Sequence, residues 1–113
     1  MQKLMDFKEP VIWRGAVLKC DGAYPYESTV YFLICEMQER YAMMCISGYK
    51  AGLIYTLFPD ESKPSGNRFG LSTDWLKVHW DKFGYPDCDV ENVCIASDMS
   101  EVLERHYAET KDH

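Results

Sequence analysis

Thr29-Val-Tyr-Phe-Leu-Ile-Cys-Glu-Met37 is the stretch on which the reading of the fold turns. Its β-branched and aromatic residues predict a strand. Successive strand side chains point to opposite faces, so Val30, Phe32 and Ile34 share one face and Tyr31, Leu33 and Cys35 the other. Both rows are apolar. A strand of that kind is covered on both sides, so something packs on each face of its sheet. Helices supply one cover, and a long loop or a partner chain the other.

Upstream, Val11 to Cys20 predicts a first strand, closed by the turn dipeptide Asp21-Gly22. Ala23-Tyr-Pro-Tyr-Glu-Ser28 is a loop, because Pro25 removes a backbone donor. Downstream, Gln38 and Glu39 turn the chain into a third strand, Arg40 to Ser47. Gly48-Tyr49-Lys50 turns it again into a fourth, Ala51 to Phe58. Short turns force antiparallel neighbours, so the first half is a meander. Pro59 to Asn67 reads as an exposed loop.

Ser72 is an N-cap candidate, and Asp74 sits in the first turn, where the helix dipole favours negative charge. Trp75, Leu76, His79, Trp80 and Phe83 recur at helical spacing as one apolar stripe. Gly84 stops this helix, with Pro86 beyond it. Asp89 to Ala96 predicts a fifth strand. Asp98 and Glu101 stand at capping-box spacing and open a second short helix, with Met99, Val102, Leu103, His106 and Tyr107 along one side. The expected fold class is α+β: an antiparallel sheet of about five strands with two short helices packed on one face.

The chain has 113 residues, 27% charged and 47% apolar, which is the mix of one soluble globular domain spanning residues 1–113. Formal net charge is −6. Residues 1–56 and 57–85 each balance their acids against their bases. The last 28 residues hold Arg105 and Lys111 against eight acids, so the whole net charge falls there. Nucleic acid and anionic membranes are therefore poor direct partners, because phosphates need Lys and Arg to replace their counterions. A basic partner suits this charge, since complementary fields steer association. The start of the chain carries charges where a secretory leader needs an apolar core. Five cysteines with mostly apolar neighbours read as reduced, buried thiols in a cytoplasm.

No catalytic, metal or cofactor constellation stands out. Cys88 and Cys94 lack a second Cys or His pair at zinc-site spacing. His79 lies on the apolar stripe between tryptophans and reads as a packed, hydrogen-bonded histidine. His106 reads the same way on the last helix, and His113 ends the chain. Cys35 and Cys45 sit mid-strand, where apolar surroundings blunt a thiol. The glycines around Lys50 and Arg68 read as turns, because neither segment matches a phosphate-binding pattern. Asp87/Asp89 and Asp98/Glu101 are carboxylate pairs in polar sequence and read as solvated. Among the aromatics, Trp13, Phe32, Trp75, Trp80 and Phe83 are expected in the core. Tyr24, Tyr26, Tyr49, Tyr85 and Tyr107 fall in loops or near element ends, where tyrosine either makes contacts or bridges core and water.

Gly48-Tyr-Lys-Ala-Gly-Leu-Ile-Tyr-Thr-Leu-Phe-Pro59, Leu71-Ser-Thr-Asp-Trp-Leu76, Trp80-Asp-Lys-Phe-Gly-Tyr-Pro86 and Trp13-Arg-Gly15 carry a resemblance. Together they resemble immunity proteins of bacterial polymorphic toxin systems, and within these the family numbered forty-five. His79 departs from the pattern, which has Asn before the tryptophan, and so does Gly84. The resemblance implies a cytoplasmic protein without catalysis that binds and blocks the C-terminal toxin domain of a contact-dependent or secreted effector. The matching glycines and tryptophans look like scaffold, so the resemblance assigns no contact residue. The contact surface expected from charge and loop aromatics is Tyr85, Asp87, Asp89, Glu91, Asp98, Glu101, Glu104 and Tyr107. A basic toxin, such as one that acts on nucleic acid, would fit it. Two other readings stand beside this one: a small ligand-binding domain or enzyme whose site forms only in three dimensions, and a homodimer built on the doubly apolar sheet.

Overall fold

Thr29–Met37 lies inside a six-stranded antiparallel sheet in the structure, a computed structural model that describes residues 1–103. In chain order the strands are β1 (Gln2–Lys3), β2 (Val11–Ile12), β3 (Val17–Asp21), β4 (Thr29–Met37), β5 (Arg40–Cys45), β6 (Ile54–Leu57), β7 (Leu71–Ser72) and β8 (Cys94–Ala96). One main helix, α1 (Thr73–Phe83), follows β7. The large sheet runs β1-β8-β3-β4-β5-β6, and β2 pairs with β7 in a small second sheet. The expected meander is β3 to β6. Leu18 and Cys45 flank Phe32 in register, and Met43 faces Ile34.

The expected first strand is broken in two. Gly15 adopts φ +97°, a conformation open to glycine, and its N–H donates to the Ile34 carbonyl at 2.7 Å. The turn gives Val11 and Ile12 to the small sheet and Val17 onward to the large one. It also carries Trp13 outward, 55% exposed rather than in the core. The fifth strand is shorter than Asp89–Ala96, because residues 90–92 form a 3₁₀ turn before β8. The third and fourth strands are trimmed to β5 and β6. β1 has too few residues for any periodicity, yet it pairs with β8 at the sheet edge.

One face of the sheet carries the core. Leu18, Val30, Phe32, Ile34, Met43 and Ile95 meet Leu76 and Trp80 of α1 and Leu4 and Phe7 of the N-terminal segment. The other face of β4, with Tyr31, Leu33 and Cys35, is half-buried, and Ile54 and Leu57 beside it are exposed. The two apolar rows of β4 therefore differ in depth.

Helix α1 begins and stops where expected. The Ser72 hydroxyl accepts the Trp75 N–H at 3.2 Å. Ser72→Ala removes this cap and is expected to cost about 1 kcal/mol, read as a lower urea midpoint at unchanged slope. Gly84 stops the helix for a packing reason. Its backbone is extended, and a Cβ there would overlap the Trp80 indole. A second helical turn starts at residue 99, and its course past residue 103 lies outside the described residues. At its start Asp98 Oδ1 accepts the Glu101 N–H at 3.3 Å, and Glu101 Oε2 accepts the Ser97 N–H at 3.4 Å. The capping-box pair thus forms, with the return bond one residue further out.

All five cysteines are free, and Cys20, Cys45 and Cys88 are buried. Burial pushes the Cys20 thiol far up, and the neighbouring Cys88 thiol adds to this. Burial also raises Cys88 and Cys35. An acid raised on folding holds its proton in the folded chain while the unfolded chain releases it. Stability is therefore full below the ordinary thiol value of 9.0 and falls as pH climbs past it. Cys20 alone is expected to cost roughly 1.4 kcal/mol per pH unit in that range. The urea midpoint should drop steeply above about pH 9 and less so in Cys20→Ala. Equal alkaline slopes in the two proteins would contradict the assignment.

Candidate functional site

The acids of the C-terminal quarter fall into two groups. Segment 86–91 runs beneath the second half of α1 and is tied to it by the Trp80 indole, whose Nε1–H donates to the Cys88 carbonyl at 2.7 Å. Between helix and segment lies a groove of about 350 Å³. Asp81, Asp89 and Glu91 line it together with Lys77, Val78 and Tyr85. Lys77 is the cation among these, and its ammonium donates to the carbonyls of Met5 and Phe7 at 3.3 and 3.0 Å. Its charge is therefore committed to tethering the N-terminal segment. Among the described residues no ion pair engages Asp81, Asp87, Asp89 or Glu91. These four carboxylates are exposed; Asp87 stands beside the Tyr85 hydroxyl, and the Lys3 ammonium donates to the Glu91 main-chain carbonyl at 2.9 Å.

The second group serves the fold. Asp98 and Glu101 hold the start of the last helix, and Glu101 also pairs with the chain's N-terminal ammonium at 3.3 Å. Neither lines the groove. Glu104 and Tyr107 lie outside the described residues.

Tyr85 does not project as an anchor. It is 8% exposed, because its ring packs on Phe32 at 5.2 Å and on Tyr55 at 5.5 Å. Burial raises its hydroxyl, and the Asp87 carboxylate adds to this. Tyr55 is raised by the same two causes. Asp87 thus stands at the edge of an aromatic cluster, and Tyr85 is the floor shared by that cluster and the acidic groove.

His79 stacks on Trp75 at 4.5 Å, with Nδ1 2.9 Å from the Trp75 carbonyl. That is the packed, hydrogen-bonded histidine its position on the stripe predicts.

Sequence reasoning missed Asp81 and Tyr55. Asp81 lies in a stretch whose charges balance, so the tally by segment hid it. Its position four residues after Lys77 places both on one side of α1. Tyr55 sits on a strand, where only the cross-strand arrangement shows that it meets Tyr85.

The family model described as Immunity protein 45 matches residues 4–95. The chain belongs to this family. No curated protein and no solved structure matches it. In this immunity protein the matched span ends within β8. It contains the whole acidic groove and the aromatic cluster, whereas Asp98, Glu101, Glu104 and Tyr107 lie beyond it. Among the described residues no helix is long and apolar enough to cross a membrane.

Proposed function

We propose that this immunity protein binds the C-terminal toxin domain of a contact-dependent or secreted bacterial effector, in the cytoplasm of the producing cell. It neutralises the toxin by contact, without catalysis of its own. The contact is the acidic groove. Asp81, Asp87, Asp89 and Glu91 present exposed carboxylates that suit a basic surface, and Asp98, Glu101 and Glu104 belong to the same net negative stretch of sequence. A toxin that acts on nucleic acid carries such a basic surface to hold phosphates. Acids placed against it compete with the substrate for the same cations.

The observation that carries this reading is the coincidence of the family match with unpaired acids around one groove. Co-expression tests it. Cells making the cognate toxin domain should survive when this chain is co-produced, and the two proteins should co-purify. Death of the cells despite a folded, abundant partner would overturn the reading.

A further inference from the structure

Three tyrosines predicted in loops gather at one end of the sheet. The β3–β4 and β5–β6 loops both turn there and are locked together. Glu27 Oε1 accepts the Tyr49 N–H at 2.9 Å, and Gly48 passes so close to Glu27 that a Cβ at this position would collide with its carboxylate. Above this lock Tyr24 and Tyr49 are 97% and 83% exposed, and Tyr26 is half in solvent. The Tyr26 and Tyr49 rings lie 6.2 Å apart. Beneath them a cavity of about 20 Å³ is walled by Tyr26, Glu27, Tyr49 and Tyr55 and floored by Phe32 and Tyr85. This is room for one water molecule.

The cradle already holds a cation of its own. The Lys50 ammonium stands 5.6 Å from the centre of the Tyr26 ring. Tyrosine faces carry negative quadrupole density and attract ammonium and guanidinium groups. The Glu27 carboxylate in the wall and Asp87 beside Tyr55 and Tyr85 add negative charge. We propose that this tyrosine cradle is a second contact on the immunity protein, one that takes an arginine or lysine side chain from the toxin in place of Lys50. The toxin as occupant rests on the functional reading above, whereas cation capture by the cradle does not. Tyrosines that are large, rigid and exposed are common interface anchors, and the buried Tyr85 lies under both the cradle and the acidic groove.

A blocked hexa-arginine peptide, followed by shifts of the tyrosine ring resonances, tests the cradle without a toxin. Binding should move the Tyr26 and Tyr49 signals first. Tyr26→Phe/Tyr49→Phe keeps both ring faces and should bind within about twofold of wild type, while Tyr26→Leu/Tyr49→Leu should weaken binding about tenfold. Lys50→Met removes the internal competitor and should bind the peptide several-fold more tightly. An unmoved Tyr26, equal affinity of the leucine and tyrosine proteins, or unchanged affinity in Lys50→Met would each overturn the proposal. The same leucine pair is then titrated with the cognate toxin domain. Unchanged toxin affinity there removes the cradle from the interface and leaves the groove in place. A chain that binds the peptide through its tyrosines and no toxin removes the functional reading and leaves the cradle.

Discussion

Trp80→Ala is expected to lower stability by about 4 kcal/mol, within the range for deleting a buried tryptophan. The indole is 3% exposed and packs in the core between α1 and the sheet. It also fills the space above Gly84 and donates the hydrogen bond that holds segment 86–91. Alanine leaves a cavity, an unpaired Cys88 carbonyl and a loosened acidic segment. The melting temperature should fall by roughly 15–20 °C for a chain of this size. Trp80→Phe keeps most of the ring and loses the N–H, so it should cost only about 1–2 kcal/mol. Gly84→Ala should reproduce part of the tryptophan phenotype, because the new Cβ pushes the indole away. The overpacking cost is about 1–3 kcal/mol. Thermal unfolding followed by tryptophan fluorescence checks all three. A Trp80→Ala protein with near-native stability would contradict the packing described for α1.

The second large effect concerns binding. Reversing Asp81, Asp87, Asp89 and Glu91 together to lysine should weaken toxin binding at least about a hundredfold, since close charge pairs couple at about 1.5–7 kcal/mol. Stability should barely change, because surface substitutions usually stay within about 0.5 kcal/mol. Reversal of Asp98 and Glu101 should do the opposite. It breaks the cap and costs about 1 kcal/mol of stability, with little loss of affinity. The two sets of acids thus separate binding from folding in one experiment.

Much of this was legible from β4. Its alternation separated Val30, Phe32 and Ile34 from Tyr31, Leu33 and Cys35, and its double apolarity put the strand inside the sheet, but which row lies deeper depends on α1 and the N-terminal segment. Helix α1 was legible because Ser72, the Trp75–Phe83 stripe and Gly84 act locally, within one element. The break at Gly15 was not, because it depends on a hydrogen bond to Ile34 from another strand. For the same reason Trp13 looked like core. The acidic segment was visible as a charge tally, but the division of labour within it was not. Asp89 and Glu91 reach the groove only because Trp80 holds their segment, and Asp98 and Glu101 look equivalent to them until the helix start is seen. Tyr85 shows the same limit. Its place after a helix suggested exposure, whereas its contacts with Phe32 and Tyr55 come from β4 and β6, distant from it in sequence.

The affinity of the purified chain for the cognate toxin domain, measured by calorimetry at low and high salt, tests the central claim most directly. The predicted result is a tight one-to-one complex whose affinity falls as salt rises, with both the affinity and the salt dependence lost when the three groove acids and the neighbouring Asp87 are reversed. A complex indifferent to salt and to reversal of Asp81, Asp87, Asp89 and Glu91 would contradict it.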